Sequence, residues 1–333
     1  NVGYSSHVLI QVADAQKIPT VIVPFTIANI TEVAESYFDL PENRVSSDLI
    51  NRLTGRLFPR WVYSYRGRKL LRLPAERILA MELSGLTSTQ PWLFNSGAAR
   101  TVAVESHRML QHYLAEGLSA DRLIVTGSLS DDVLFEAACN ADAKRQKLFD
   151  DFGLSHGAPL LLCALPPSQF PRDCEFADYE SLLSFWMESL SQVKQWNVIV
   201  RPHPRMPESA IDLIRGFGIP IALRDTASLV ALCDLYLASV SATVRWAIAR
   251  GIPVINYDVY HMGYRDYAGV EGVLTIDDRE AFLRTLERVT HDRKYYEKIA
   301  AAQKEEMGNW GMLDGKSGAR MLQLFDQVAV KKH

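Results

Sequence analysis

A histidine framed by two prolines and two arginines follows one of the clearest apolar runs in the sequence. The residues RPHPR at 201–205 come directly after the run 196–200. The prolines restrict the backbone on either side of the imidazole, and guanidinium groups are suited to binding phosphate. Open α/β sheets bind ligands at the carboxyl ends of their strands. Arg201, His203 and Arg205 are therefore candidate phosphate-binding residues. The alternative is a strand-ending loop whose histidine is only hydrogen-bonded.

A second candidate is the hydroxyl-rich loop that follows the apolar run 235–238. It contains Ser239, Ser241 and Thr243 and leads into a predicted helix. Hydroxyl groups beside the free N–H groups of a helix start are suited to an anion, although serine and threonine are also ordinary helix caps. Because both loops follow strands of one predicted sheet, we expect them to face one crevice. Such a crevice suits a diphosphate or a phosphodiester.

The elements that would position these loops alternate between strand and helix in the second half. Short apolar runs predict strands, and apolar residues at helical spacing predict the helices between them. The strands are predicted at 159–165, 196–200, 219–223, 235–238 and 253–256, and the helices at 178–194, 207–216, 229–233, 243–250, 278–307 and 316–330. This alternation predicts a parallel, doubly wound α/β sheet.

The first half alternates less regularly. Helices are predicted at 5–16, 31–38, 46–57 and 105–116, and strands at 18–25, 102–104 and 123–125. The chain opens on a helix with no strand before it, so we expect an N-terminal Rossmann-like domain whose first strands are absent from this chain, which would then belong to a longer protein. The polar stretch 150–158 is the predicted linker between the domains.

Composition narrows the function classes. The 333 residues are enough for about two domains, and a net charge of −3 argues against general nucleic-acid binding. No apolar run approaches the roughly 18 residues that a membrane-spanning helix needs. The four cysteines form no Cys-x-x-Cys pair, and the sequence has neither metal-ligand spacing nor a Walker loop. We therefore expect a protein of a reducing cytoplasm, with no cofactor, no metal and no nucleic-acid partner.

Three segments of the second half carry a family resemblance. They are RPHP at 201–204, LASVSATVRWAIARGIPVINYD at 237–258 and WGMLDGKSGAR at 310–320. In this order they resemble the donor-binding domain of GT-B glycosyltransferases, above all the enzymes that build bacterial surface polysaccharides. The segment VAVESHRMLQHYLAEGLSADRLIVTGSLSDD at 102–132 resembles the end of the N-terminal domain of these enzymes. It is also similar to the non-hydrolysing UDP-N-acetylglucosamine 2-epimerases, which share the fold.

The resemblance implies two Rossmann-like domains of the GT-B kind. The implied domains are a partial acceptor-side domain over 1–150 and a nucleotide-sugar donor domain over 151–333. The implied function is transfer of a sugar from a CMP- or UDP-linked donor to a surface-polysaccharide acceptor (capsule or lipopolysaccharide) or a lipid-linked one. The enzyme would be cytoplasmic, at the inner face of the membrane where the acceptor requires it. Bacterial sialyltransferases and Kdo transferases hold the cytidine nucleotide with a His-Pro and a Ser/Thr motif. The resemblance therefore implies donor-phosphate contacts for His203, Ser239, Ser241 and Thr243.

Two other functions remain open at this stage. One is a nucleotide-sugar 2-epimerase, although those enzymes carry an acidic, glycine-rich sequence where this chain has Ser-Val-Ser-Ala at 239–242. The other is a non-catalytic GT-B-like domain of a larger synthase.

The catalytic carboxylate has two candidates. An inverting transferase needs a base for the acceptor hydroxyl, and Glu32 or Asp132 could supply it. Glu32 and Glu35 at this spacing are more often the solvated face of a helix, and Asp131 and Asp132 are alternatively an acidic loop at a hinge.

Two further features have a functional and a plain interpretation. His261 follows a predicted strand and is a candidate contact to the donor. The basic stretch 66–72 would suit an anionic acceptor or lipid head groups, as in a peripheral membrane protein, although such stretches are commonly solvated surface.

Overall fold

The computed structural model describes residues 4–23, 30–87, 90–93, 99–168, 174–239 and 241–330. The first 128 residues contain α1 (Tyr4–Ala15), β1 (Val21–Ile22), α2 (Ile30–Tyr37), α3 (Leu49–Leu57), β2 (Val62–Tyr65), β3 (Arg68–Leu71), α4 (Ala75–Leu83), β4 (Thr101–Val104), α5 (His107–Ala115) and β5 (Leu123–Val125). They are followed by α6 (Leu129–Ala138), α7 (Ala141–Phe152), β6 (Leu160–Ala164), α8 (Tyr179–Ser191), β7 (Asn197–Arg201), α9 (Glu208–Arg215), α10 (Thr226–Val230), β8 (Leu235–Ala238), α11 (Val244–Ala249), β9 (Val254–Tyr257), β10 (Val273–Ile276), α12 (Arg279–His291), α13 (Arg293–Trp310) and α14 (Ser317–Val330). The end of the strand predicted at 18–25 and the loop residue Val240 lie outside the described residues.

Side-chain caps fix where several of these helices begin. In each case a short polar side chain accepts a hydrogen bond from the backbone N–H three residues later, which satisfies a donor that the helix itself leaves unpaired. The capping residues are Asp48, Ser106, Asp178, Asp225 and Asp278.

The chain forms two compact units. Unit 1 comprises residues 1–128 and 316–333, and unit 2 comprises residues 129–315. This division differs from the boundary that the sequence suggested at 150, for two physical reasons. Ion pairs connect the segment 129–151 to the rest of unit 2. Arg145 pairs with Asp234, and Asp151 pairs with Arg224. The last helix, α14, buries Met321 and Leu324 in an apolar cluster of unit 1.

Unit 2 is built on a five-stranded sheet of order β10-β9-β8-β6-β7, with all neighbouring pairs parallel. The predicted doubly wound α/β class is thus confirmed. The run 219–223 is not a full strand: Ile221 makes only an isolated bridge to Val200 at the sheet edge, where Pro220 offers no N–H for a ladder. The fifth strand is instead β10, which the sequence analysis missed.

The core of unit 2 lies against this sheet. Strands β8 and β9 are buried along their whole length, as strands covered by helices on both faces must be. Three aromatic rings stack beneath them: Tyr257 lies 4.7 Å from Phe282 and 6.0 Å from Trp186, centroid to centroid. The helix predicted over 278–307 is divided at Asp292, which ends α12 and caps α13.

Unit 1 combines a three-stranded parallel sheet, β1-β4-β5, with the antiparallel hairpin β2-β3. The sequence analysis missed this hairpin, whose turn is formed by Arg66 and Gly67 at φ 43° and 75°. Two successive positive φ angles are typical of a two-residue hairpin turn. The basic stretch 66–72 therefore forms the turn and the second strand of the hairpin. Among the described residues, no helix combines the length and the apolar character needed to cross a bilayer.

Candidate functional site

His203 and Ser239 lie at the same edge of the sheet of unit 2. Their strands, β7 and β8, flank the central strand β6, whose Ala164 pairs with Arg201 on one side and with Ala238 on the other. Ser239 comes directly after β8 and His203 two residues after β7. Neighbouring strands are about 4.8 Å apart, so the ends of β7 and β8 lie on the order of 10 Å apart. That spacing allows both side chains to reach one ligand bound between the two strand ends.

The ring of His203 has a defined hydrogen-bond polarity. Its Nδ1 accepts a hydrogen bond from the backbone N–H of Arg205 at 3.2 Å. Partial burial, reinforced by the positive charges of Arg205 and Arg201, lowers the pKa of His203 below its usual 6.5. The ring is therefore neutral at pH 7 and carries its proton on Nε2. Nε2–H is a donor, which is the polarity that a phosphate oxygen requires.

The two arginines of the motif differ in their surroundings. The guanidinium of Arg201 donates to the backbone oxygens of Arg224 at 2.9 Å and of Pro202. These bonds hold the loop after β7, so Arg201 has a structural role and adds positive charge to the edge. Arg205 is exposed and forms no ion pair among the residues that the structure describes. Arg205 is therefore the arginine of the motif whose charge faces solvent.

Ser239 has the least ordinary environment of the candidates. The residue is only 3% exposed, and its hydroxyl has no hydrogen-bond partner within the described parts of the chain. Buried polar groups are nearly always paired, because desolvating a hydroxyl without a compensating bond is costly. An unpartnered buried hydroxyl at the carboxyl edge of a parallel sheet is therefore a candidate ligand contact.

The hydroxyls of Ser241 and Thr243 are already engaged. Thr243 Oγ1 lies 2.7 Å from Ser241 Oγ and is also hydrogen-bonded to the hydroxyl of the buried Tyr236. Tyr267 donates to the backbone oxygen of Ser241 at 2.9 Å. Helix α11 begins at Val244, and the Thr243 side chain does not cap it. The Thr243 side chain is therefore not the ordinary helix cap that was the alternative interpretation, because it bonds to Tyr236 and to Ser241. Donor-phosphate contacts of Ser241 and Thr243 stay predictions.

His261 lies in the loop after β9, at the same sheet edge. Its Nε2 is 2.8 Å from the backbone oxygen of Asp277, just beyond β10, and its backbone has a positive φ of 49°. The carboxylate of Asp258 accepts hydrogen bonds from the backbone N–H groups of Met262 and Gly263 at 2.9 and 2.7 Å. These contacts give His261 a role in holding the ends of β9 and β10 together.

The loop after β6 is held by tyrosines that the sequence analysis did not single out. Tyr179 donates to the backbone oxygen of Pro166 at 2.7 Å, and Tyr260 donates to that of Pro167. Burial raises the pKa of both phenols above the usual value, so they remain protonated donors. The two successive prolines after β6 were the sequence signal for such donors, because a proline has a backbone carbonyl oxygen but no N–H group.

The two candidate carboxylates lie in different units. Glu32 is exposed in the first turn of α2 in unit 1, while Glu35 accepts from the hydroxyl of Tyr65 at 2.7 Å. Asp132 is half-buried in the first turn of α6 in unit 2. Glu32 thus occupies the solvated face that the sequence offered as its alternative. Catalytic roles for Glu32 and Asp132 stay predictions.

Asp131, beside Asp132, has a structural role that its sequence did not reveal. Its carboxylate is fully buried and pairs with Arg245 at 2.6 Å. It also accepts from the backbone N–H of Met312 at 3.2 Å. The pair joins α6, α11 and the turn after α13.

In the parts of the chain that the structure describes, no group of three or more His, Cys, Asp or Glu side chains is arranged to hold a metal ion. The four cysteines are free thiols, and burial raises the pKa of the Cys163 and Cys233 thiols. These two thiols are therefore inert core residues.

Comparisons with known proteins show the fold. Protein-family models give no match to this sequence, and neither do curated proteins. Among solved structures, the wall teichoic acid polymerase TagF is similar with a TM-score of 0.51 and 14% identity, over 71% of this chain and 59% of that one. A TagF variant soaked with CDPG gives a TM-score of 0.50 and 15% identity, over 72% and 61%. HepE from Anabaena in complex with UDP-glucose gives 0.48 and 13%, over 98% and 76%.

The likeness to TagF, together with the parallel sheets, shows a GT-B-type fold with two Rossmann-like units. The chain spans about three fifths of the length of the polymerases that it matches.

Proposed function

We propose that unit 2 binds the phosphates of a nucleotide-sugar donor and that the protein is a glycosyltransferase. The observation that carries this proposal is the buried hydroxyl of Ser239, which has no partner among the described residues and lies at the same sheet edge as the Nε2–H donor of His203. The GT-B-type fold supports it, and a polymerase of this fold was soaked with CDPG.

The chemistry of sugar transfer explains why such donors are needed. When the bond between the anomeric carbon and the phosphate oxygen breaks, negative charge develops on the departing nucleotide. Hydrogen-bond donors fixed in advance stabilise that charge without reorganising. In this proposal His203 and Ser239 supply the fixed donors, and the exposed Arg205 adds a positive charge. No metal or cofactor is proposed.

The acceptor half of the reaction is a broader proposal. The acceptor is a surface-polysaccharide or lipid-linked glycan, the donor carries CMP or UDP, and the reaction takes place in the cytoplasm, at the inner face of the membrane for a lipid-linked acceptor. Glu32 and Asp132 are the proposed sources of a base if the enzyme inverts.

Calorimetry and thermal unfolding with a panel of nucleotides test the donor half. CMP, UDP, GDP and their sugar conjugates are compared, since a ligand at 100 times its Kd stabilises the folded state by about 2.7 kcal/mol. We expect one nucleotide series to raise the Tm. We expect the effect to be lost in His203→Gln and retained in His156→Gln, because His156 is an exposed residue that pairs with Asp150 far along the chain from the site.

Two results would overturn the proposal. One is a panel in which no nucleotide raises the Tm, and the other is an unchanged nucleotide affinity in His203→Gln. Proton NMR of UDP-N-acetylglucosamine incubated with the protein separates transferase from epimerase. We expect no 2-epimer without an acceptor, because the carboxylate of Asp258 is occupied by two backbone N–H groups and the hydroxyl loop 239–243 contains no acidic residue.

A further inference from the structure

Arg72, the first residue after β3 in unit 1, is a buried cation whose partners are few. Its exposed fraction is only 6%. Nη1 donates to the hydroxyl of Tyr37 at 2.6 Å, while Nε has no hydrogen-bond partner within the described parts of the chain. A guanidinium carries five N–H donors and a full positive charge. Removing such a group from water is costly unless its charge and its donors are compensated.

The other buried arginine among the described residues shows the ordinary form of that compensation. Arg245 in unit 2 is 4% exposed and pairs with the carboxylate of Asp131 at 2.6 Å. It also donates to the backbone oxygen of Trp310 at 2.9 Å. Arg72 has a neutral phenol where Arg245 has a carboxylate. An anion is therefore the kind of partner that Arg72 lacks.

The chain does not supply this anion from unit 1. Glu35 pairs with Arg66 at 3.6 Å, and Asp39 pairs with Arg68 at 3.6 Å. Arg72 forms no ion pair with any described residue, and the residues of unit 1 outside the described ranges include no aspartate or glutamate. The acidic residues beside the hairpin thus serve its other arginines.

Aromatic rings surround the guanidinium of Arg72. Its central carbon lies 5.0 Å from the ring centroid of Tyr37 and 5.9 Å from that of Trp92. Tyr63 packs against Trp92 at 5.2 Å, and both tyrosines are half-buried. Aromatic rings attract a cation, but the N–H groups of the guanidinium still need acceptors. Aromatic side chains around a few fixed polar groups are the usual lining of a small-ligand site.

Hydrogen bonds fix the backbone at this position. The backbone N–H of Arg72 and the indole N–H of Trp92 both donate to the backbone oxygen of Trp61, at 3.0 and 2.9 Å. The side chain of the buried Asn43 donates to the backbone oxygen of Leu71 at 2.9 Å. The peptide group between Leu71 and Arg72 is therefore held at both its oxygen and its N–H. A site fixed in advance lowers the cost of ordering that binding must overcome.

We propose that Arg72 and Tyr37 bind the anionic group, a carboxylate or a phosphate, of an acidic sugar. The fork of a guanidinium matches the paired oxygens of either group. The Tyr37 hydroxyl accepts from Arg72 and keeps its own proton to donate to the anion. The rings of Tyr37 and Tyr63 lie beside the sugar. The assignment of this sugar to the acceptor rests on the proposed function, whereas the binding of the anion does not.

Saturation-transfer NMR with the intact chain tests the site. The titrated sugars are glucose, glucuronate and glucose 6-phosphate, which differ in the anionic group. We expect at least one acidic sugar to bind at least about tenfold more tightly than glucose, as a hydrogen bond to a charged group implies. The preferred sugar distinguishes a carboxylate from a phosphate. Each titration is repeated with His203→Gln, because a phosphate also fits the proposed donor site, and the preference should persist.

Variants of Arg72 connect the preference to this side chain. Arg72→Met keeps an unbranched apolar stem without the charge and should weaken binding of the acidic sugar about tenfold to hundredfold. Arg72→Lys keeps the charge without the fork, so its affinity should be intermediate. Arg77→Met is the matched control. It changes an exposed arginine of α4 that forms no ion pair among the described residues, and it should leave the affinity unchanged.

The proposal is overturned if neither acidic sugar binds more tightly than glucose, or if Arg72→Met binds as the unmodified chain does. If Arg72→Met lacks the native circular dichroism spectrum, Arg72→Lys decides: a weaker affinity supports the site and an unchanged one rejects it. A nucleotide panel without a response rejects the donor proposal and leaves this site standing. Sugar titrations without a preference for the acid reject this site alone.

Discussion

Replacing Ser239 by alanine separates a hydroxyl kept for a ligand from one that holds the fold. The hydroxyl is buried and has no partner within the described residues, so its desolvation costs about 1–3 kcal/mol without a compensating hydrogen bond. Alanine fits the same space without that group. We therefore expect Ser239→Ala to raise the free energy of unfolding by about 1 kcal/mol, which is a Tm increase of about 2–4 °C for a unit of this size.

The same substitution should weaken nucleotide binding. A hydrogen bond to a charged group contributes about 1.5–3 kcal/mol, so losing one to a phosphate oxygen should raise the Kd roughly tenfold to hundredfold. Differential scanning calorimetry gives the stability change, and titration calorimetry with the nucleotide identified in the panel gives the affinity. Higher stability together with lower affinity is the combination typical of a residue that serves a ligand.

Ser241→Ala is the matched control for this experiment. Ser241 Oγ is bonded to Thr243 Oγ1 at 2.7 Å, so its loss should lower the free energy of unfolding by about 0.5–1.5 kcal/mol. If Ser239→Ala also lowered stability and left the affinity unchanged, Ser239 would be a structural residue and the reasoning from its missing partner would fail.

Two other predictions concern the buried pair of Asp131 and Arg245 and the titration of His203. Asp131→Asn should lower the free energy of unfolding of unit 2 by about 3–5 kcal/mol in urea denaturation, because it leaves the buried Arg245 charge uncompensated. The control Asp142→Asn, on an exposed face of α7, should leave the free energy of unfolding nearly unchanged. Equal effects of the two substitutions would argue against a stabilising ion pair. The pKa of His203 is lowered by burial and by neighbouring arginines, so between that pKa and 6.5 the unfolded chain binds more protons and stability rises with pH. A bound anion favours the protonated ring, so the affinity for a nucleotide sugar, whose phosphates stay ionised, should increase as the pH falls below 6.5 towards the lowered pKa of His203. Calorimetric titrations should show that slope in His156→Gln and not in His203→Gln, and a slope common to both would place the titrating group elsewhere.

Sequence pattern predicted the sheet of unit 2 well because its strands are buried on both faces. The runs at 160–164, 197–201 and 235–238 are nearly continuous apolar stretches, which is the pattern of a parallel interior strand. The strands at the edges of the sheet were harder to predict from the sequence. The run 219–223 looked as apolar as the others, but Pro220 and an edge position reduced it to a bridge, while β10 was overlooked beside the helices that follow it.

The boundary between the units could not be predicted from local composition. The polar stretch 150–158 looked like a linker, but the ion pairs of Arg145 and Asp151 tie the residues around it to unit 2. The last helix packs Met321 and Leu324 against the first unit. The ion pairs and the helix packing join residues that are far apart in sequence. Local residue spacing cannot predict such long-range contacts.

For the site, the order of motifs was sufficient to predict which edge they share, but not which atoms are available. Parallel strands bring the residues after β7 and β8 to one edge, as expected. Ser239, Ser241 and Thr243 look equivalent in sequence, yet two of them bond to each other and to Tyr236 while the first has no partner among the described residues. That distinction depends on a tyrosine seven residues away from Thr243 whose position only the fold determines.

Helix α3 shows that apolar periodicity predicts a helix but not which of its faces is buried. The spacing of Leu49, Leu53 and Leu57 correctly predicts a helix, and the usual inference is that such a stripe faces the core. Here the side that packs inward is defined instead by Asn51 and Gly55, through three hydrogen bonds and a close approach to two valines. Periodicity reports that two faces differ, whereas the partners of the polar face decide which of them is buried.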